Sequence, residues 1–94
     1  MAQTVEYQLP ENLTVANVHP VHEQFELLVE DKANDHIIIH ASSVQRADTA
    51  GIQLLYAMVV AAKERQITLS WDNPSEKLRS AAQILGMTGQ LGIH

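Results

Sequence analysis

The chain has 94 residues, six Lys+Arg against eleven Asp+Glu for a net charge of −5, and no cysteine. The missing thiols exclude disulfide scaffolds, thiol catalysis, cysteine zinc sites and iron–sulfur clusters. The acid excess argues against nucleic acid, whose affinity comes mainly from neutralised phosphates, and against a polybasic membrane-surface role. With 46% hydrophobic and 18% charged residues, a packed core is expected, in a single domain over residues 1–94. The first ten residues lack the basic and apolar regions of a secretory signal, and the longest apolar run, around Leu54 to Ala62, is well short of a membrane span. The expectation is a cytoplasmic protein with no direct membrane insertion.

Residues Thr4 to Leu9 alternate Val5, Tyr7 and Leu9 against Thr4, Glu6 and Gln8, the pattern of a half-buried strand. Pro10-Glu11-Asn12 ends it, and a brief extended piece over Leu13 to Val15 follows. From Val18 to Asp31, apolar residues fall at helical spacing, with Asn17 as N-cap and Pro20 in the first turn, where no backbone donor is lost. His36 to His40 is a β-branched run with Ile37 and Ile39 on one face and His36, Ile38 and His40 on the other. Apolar side chains on both faces predict a central strand covered on both sides, or on one side by another subunit. Ala41 to Asp48 reads as a loop, and a second helix runs from Thr49 to about Arg65 with Asp48 as its N-cap. Gly51 costs that helix about 1 kcal/mol relative to alanine, which implies close approach of something to its backbone. Ile67 to Trp71 is the third strand. Asn73-Pro74 opens a third helix with Pro74 at its first position, Leu78, Ala81, Ala82 and Leu85 as its apolar stripe, and Gly86 as its C-cap. Met87 to His94 reads as a short extended tail. The alternation of strands and helices predicts parallel strands joined by right-handed crossovers.

The stretch Asp48-Thr49-Ala50-Gly51 is the most informative. A hydroxyl in the first turn of a helix faces free N–H groups and the positive end of the dipole, where a phosphate gains charge-assisted bonds; Asp48 opposes it by like charge. The plain alternative is a helix-start residue. The helix over residues 52–62 carries only Gln53 and Tyr56 as polar groups, so it is either covered by other elements or turned toward a partner. His19 and His22 stand three apart, whereas the zinc-protease pattern needs two histidines four apart, and they read as a solvated helix face. His36 and His40 are ~13 Å apart along a strand, too far to share one metal. No metal or other cofactor is signalled. Ser42 and Ser43 have no signalled base or nucleophile elbow, and there is no glycine-rich phosphate loop. A reaction using His40 and Thr49 would lack the base–nucleophile–orienter set that catalysis needs, so the chain reads as non-enzymatic.

From His36 on, HIIIHASSVQRADTAGIQLLYAMVV resembles the centre of a STAS domain, the fold of bacterial anti-sigma-factor antagonists. That centre is an apolar strand, a short loop, then Asp-Ser-Ser-Gly opening a very apolar helix. The later ITLSWDNPSEKLRSAAQILGMTG is similar to the family's next strand and Asn-Pro helix, and Leu13-Thr14-Val15-Ala16 to its segment before the first helix. The resemblance covers about Leu9 to the end. It implies an α/β sandwich, with a small mixed β-sheet of about four strands packed with three to four helices. It also implies a partner-switching protein-binding regulator whose first hydroxyl after the aspartate, here Thr49, is phosphorylated by a partner kinase. The implied partner-binding residues are Ser42, Ser43, Arg46, Asp48, Ala50, Gly51, Ile52 and Gln53, with Thr14 and His40 beside the switch. The implied partner is an anti-sigma factor, a serine-threonine kinase or a signalling kinase, including those of chemotaxis.

Four positions depart from the antagonists: Thr49 replaces the first serine, Ala50 the second, Thr14 an aspartate, and His40 an acidic or amide residue. A threonine-type motif also appears in STAS subunits of lipid-transport ABC complexes, so the alternative implied is constitutive docking on an ATPase without a phosphorylation switch. The family's extra N-terminal edge strand has almost no room before Thr4, which places the strand Thr4 to Leu9 at an exposed edge, open to pairing.

Overall fold

A computed structural model describes residues 3–93. Strand β1 (Gln3–Gln8) is followed by the two-residue β2 (Asn12–Leu13) and helix α1 (Val18–Glu30). Next come β3 (Asn34–His40), the two-residue β4 (Arg46–Ala47) and helix α2 (Thr49–Glu64). Strand β5 (Thr68–Asp72), α3 (Glu76–Ile84) and the single-turn α4 (Thr88–Leu91) complete the order. The main sheet has the order β1-β3-β5, and β2 pairs with β4 in a separate short ladder. Every pairing is parallel, as strands joined through helices require.

The register explains how the sheet divides polar from apolar. Val5, Ile37 and Leu69 align across the three strands, as do Tyr7, Ile39 and Trp71, and all six join the core. Phe25 of α1, Leu55 and Met58 of α2 and Leu78 of α3 pack into the same cluster. Burying a large aliphatic side chain fully contributes about 1.5–3 kcal/mol, so this layer carries much of the stability. The opposite face holds Thr4, His36 and Thr68, then Glu6, Ile38 and Ser70, then Gln8, His40 and Asp72. Ile38 stays outside the core cluster and is only half-buried. The described residues thus cover the central strand with helices on one face; of the two coverings expected, on both sides by the chain itself or on one side by another subunit, they do not supply the first. Among the described residues, strand β1 lies at an edge of the sheet.

Helix α2 is the spine of the core because its buried residues, Ile52, Leu54, Leu55, Met58 and Ala62, span more than one face. Its N-terminus is capped by Asp48, whose carboxylate accepts from the Gly51 amide at 2.9 Å. Its C-terminus closes with the Gln66 amide on the Lys63 carbonyl and the Ile67 amide on the Ala62 carbonyl, which forces Gln66 to a φ of 59°. The same double closure ends α3, where glycine occupies the left-handed position at Gly86.

Several boundaries differ from the sequence reading for local reasons. Asn17 stands at the start of α1 but makes no capping bond; its Oδ1 accepts from the Thr14 hydroxyl at 2.9 Å instead. Pro74 precedes α3, whose cap is Ser75, with Oγ accepting from the Leu78 amide at 3.1 Å. The expected loop from Ala41 to Asp48 contains β4, and the tail is a helical turn, α4, rather than an extended piece. Leu91 and Ile93 bury into the core, and the Trp71 indole donates to the Leu91 carbonyl at 2.7 Å. His94, the last residue of the expected tail, lies outside the described residues. No described helix is long and apolar enough to cross a membrane.

Candidate functional site

The Asp48–Gly51 junction is built by the short ladder that precedes it. Glu11 offers its carbonyl to the amides of Gln45 and Arg46, at 2.7 and 3.1 Å, and the Leu13 carbonyl accepts from the Asp48 amide at 3.3 Å. The Asp48 carboxylate then divides its two oxygens. Oδ1 accepts from the Gly51 amide and Oδ2 from the Val15 amide, at 2.9 and 3.0 Å. These bonds, the Gly51 amide first and Val15 next, hold the carboxyl below its ordinary value of 3.8. Asp48 therefore staples the segment after β2 to the start of α2, in addition to capping the helix.

Gly51 is required by this arrangement. A Cβ added there would lie 2.0 Å from the Leu13 carbonyl oxygen and 2.8 Å from its carbon. The close approach implied by a glycine inside a helix is the backbone of β2.

The hydrogen bonds that shape the junction leave the Thr49 hydroxyl unused, and the residue is exposed. Thr49 stands on the rim of two adjoining grooves. One, of about 270 Å³, lies between Asp48, Thr49, Ala81, Ile84 and Leu85. The other, of about 390 Å³, lies between Thr49, Ile52, Gln53, Tyr56, Leu85 and Met87. Ile84 is 83% exposed at their edge, with Leu85 and Tyr56 also open to solvent. Among the described residues, exposed apolar side chains thus border a hydroxyl with no hydrogen-bond partner at the helix start.

A family model described as Mlab, STAS domain matches residues 2–93. The chain belongs to the STAS domain family. STAS domains generally mediate protein–protein interaction and are generally non-enzymatic. A comparison with curated proteins returns no match.

Within this STAS domain, the residues expected at the partner surface separate into two groups. Ser42, Arg46, Thr49 and Gln53 are exposed, and Asp48 and Ala50 are half-buried beside them. Ser43 is half-buried, its Oγ accepting from the Gln8 amide nitrogen at 2.9 Å. Gly51 and Ile52 are buried: Gly51 is pressed against Leu13, and Ile52 forms the floor of the larger groove.

The two expected neighbours of Thr49 part company. Thr14 stands between Leu13 and Val15, the residues that bind the Asp48 backbone and side chain, and its own hydroxyl donates to Asn17 Oδ1 at 2.9 Å. The His40 ring lies on the polar sheet face, away from the core side where α2 packs, with Nδ1 2.7 Å from Asp72 Oδ2 and Nε2 on Glu6. The family resemblance implies a place for His40 beside Thr49; side-chain alternation along β3 turns its ring to the polar face with Gln8 and Asp72 instead.

Leu85, expected in the apolar stripe of the third helix, is instead open to solvent, and with Ile84 and Met87, which the sequence reading did not single out, it supplies the groove wall. Ile84 falls off the buried stripe of α3 and is almost fully exposed, which is the one signal the helical spacing contained. The histidines of α1 sit on its solvated face, His19 on Glu23 and His22 on Glu26 at 3.2 Å.

Proposed function

We propose that this STAS domain is a partner-switching regulator that docks a protein partner over the α2 start and the α2–α3 grooves, with phosphorylation of Thr49 as the release signal. The observation that carries the reading is the pairing of the Thr49 hydroxyl, exposed and without a hydrogen-bond partner among the described residues, with the apolar rim of Tyr56, Ile84 and Leu85. A phosphate on Thr49 would add roughly −1.5 to −2 charges at pH 7. It would stand beside Asp48, whose carboxylate is held ionised by two backbone amides. The surface would change from apolar and mildly acidic to strongly anionic, which disfavours an apolar partner. The partner class is an anti-sigma factor, a kinase of that type or a signalling kinase.

The second reading is constitutive docking on the ATPase of a transport complex. It draws support from Ala50, which removes a second hydroxyl, and from His40, which is committed to Glu6 and Asp72 on the far sheet face. Both readings use the same surface and the same cytoplasmic setting.

Thr49→Glu and Thr49→Ala separate them. Asp48 is the cap, so neither substitution removes the helix start. Under partner switching, Thr49→Glu lowers affinity for the captured partner, Thr49→Ala retains it, and phosphothreonine is found at position 49 by mass spectrometry. Equal affinity of the two variants for an identified partner would sink the switch. An ATPase subunit co-purifying with unphosphorylated protein would establish the second reading.

A further inference from the structure

His40 is held from both sides on the polar face of the sheet. Nε2 contacts Glu6 of β1 and Nδ1 contacts Asp72 of β5. A carboxylate only accepts, so each ring nitrogen has to donate, and only the imidazolium has two N–H groups. A neutral ring turns a lone pair toward one of the two carboxylates. Among the described residues, Glu6 and Asp72 are the charged groups within ion-pair distance of His40. Ser70 on β5 and Gln8 on β1 are uncharged neighbours on that face, and His36, four residues back on β3, is bonded to Ser70 at 2.7 Å.

The two strands that His40 joins lead to the two walls of the Thr49 grooves. After Glu6, Gln8 bonds Ser43, the Glu11 carbonyl holds Gln45 and Arg46, Leu13 holds Asp48, and the Val15 amide holds the Asp48 carboxylate. At the other strand, the Asp72 carbonyl accepts from Ala41, whose own carbonyl accepts from Ser75 at 3.1 Å. Ser75 caps α3, the helix that carries Ala81 and Ile84 to the smaller groove. We propose that His40 is a proton-operated clasp, closed when protonated, which sets the α2 start and α3 relative to each other and so makes the groove at Thr49 respond to pH.

Two further facts agree. The His40 side chain is 29% exposed, so the ring can exchange protons with solvent. Hydrogen bonding to Glu6 first, then to Asp72, raises its pKa above the ordinary 6.5. The coupling of clasp to groove is a property of this chain alone; its consequence for partner docking rests on the function proposed above.

The test is an NMR titration of the full chain from about pH 5 to pH 9, the range in which histidine changes charge. It follows the His40 ring together with the amides of Val15, Asp48 and Leu78. The expected result is a shift of those amides with the same midpoint as the ring, above 6.5. Glu6→Gln is expected to lower the midpoint and abolish the shift at Val15 and Asp48; Asp72→Asn is expected to do so at Leu78. Both changes are at exposed positions and preserve side-chain volume, so they carry the test even where His40→Gln disturbs folding. Amides that stay flat while the ring titrates, or that shift unchanged in both variants, would overturn the clasp. Amides that respond while partner affinity ignores pH would count against the docking reading and leave the clasp standing.

Discussion

The carbonyl oxygen of Leu13 occupies the space that a side chain on Gly51 would need, 2.0 Å from where its Cβ would stand. A glycine in the first turn of the central helix is thus the contact point between the β2 segment and α2. Gly51→Ala has to push backbone away from backbone, since the Leu13 carbonyl has no rotamer to adopt. The helix propensity gained, about 1 kcal/mol, is outweighed by overpacking, which reaches about 3 kcal/mol where backbone must move. The expected outcome is a net loss of about 2 kcal/mol or more in urea unfolding, with faster hydrogen exchange at Val15 and Asp48. A stabilised Gly51→Ala would show that the segment separates freely from the helix.

The Asp48 staple has a definite pH signature. Its carboxyl is held below 3.8, so its contribution is complete above that value and is lost as pH falls through the lowered folded-state pKa. The stabilities of the native protein and Asp48→Ala should therefore converge on the acid side. Asp48→Asn should fall between them, because an amide oxygen still accepts from Gly51 while the amide nitrogen faces the Val15 N–H. His40 has the opposite sign: its folded pKa is raised, so its contribution is complete below 6.5 and declines as pH rises through the raised value. Chemical denaturation across pH checks both flanks, and a parallel offset of Asp48→Ala at every pH would contradict the assignment.

Gln66 adopts a left-handed conformation to close α2, a position that glycine takes at the end of α3. Gln66 is exposed. Gln66→Gly should stabilise the protein by up to about 1 kcal/mol, the steric cost removed being larger than the entropy added to the unfolded chain. Thermal unfolding checks it, and a lowered midpoint would be the contrary result.

What the sequence disclosed followed the strength of its periodicity. Alternation in β1, the β-branched run of β3 and the apolar spacing of α1 and α3 made the order of strands and helices legible, because those patterns extend over a whole element; the sandwich itself came from the family resemblance. Asp48 and Gly51 were legible since a cap and a helix-interior glycine each have few physical causes. The β2–β4 ladder was not, for two-residue strands carry no period. Nor was the location of His40: its place at a strand end was legible, but the neighbours that claim its ring come from β1 and β5, each 32 or more residues away. The groove wall at Ile84 and Leu85 depended on how far α3 runs beyond its buried stripe, which is a tertiary fact.

The protein's single tryptophan is tied to the C-terminal turn through the Leu91 carbonyl, so its emission reports on that turn. Ile93 is 1% exposed and packs into the common core. Ile93→Ala should destabilise the fold by about 2–5 kcal/mol, the range for a buried large-to-small change, and shift Trp71 emission to the red as the turn loosens. Loss of stability without a change in emission would mean that α4 stays docked without Ile93.

Ile84 separates surface function from stability. Its side chain is 83% exposed, so Ile84→Asp should alter unfolding free energy by no more than about 0.5 kcal/mol, as surface changes usually do. At the rim beside Thr49, the same change places a charge in the apolar contact proposed for the partner. Partner affinity is expected to fall at least about tenfold, equivalent to about 1.4 kcal/mol, the loss typical of a contributing interface residue. Leu85→Ala, at a less exposed position facing both grooves, should weaken binding in the same direction with a larger effect on folding. The measurement is calorimetric titration of the identified partner with each variant, paired with denaturant unfolding. A partner that binds Ile84→Asp and Thr49→Glu as tightly as the native protein docks elsewhere, and the polar sheet face around His40 would then be the next surface to map.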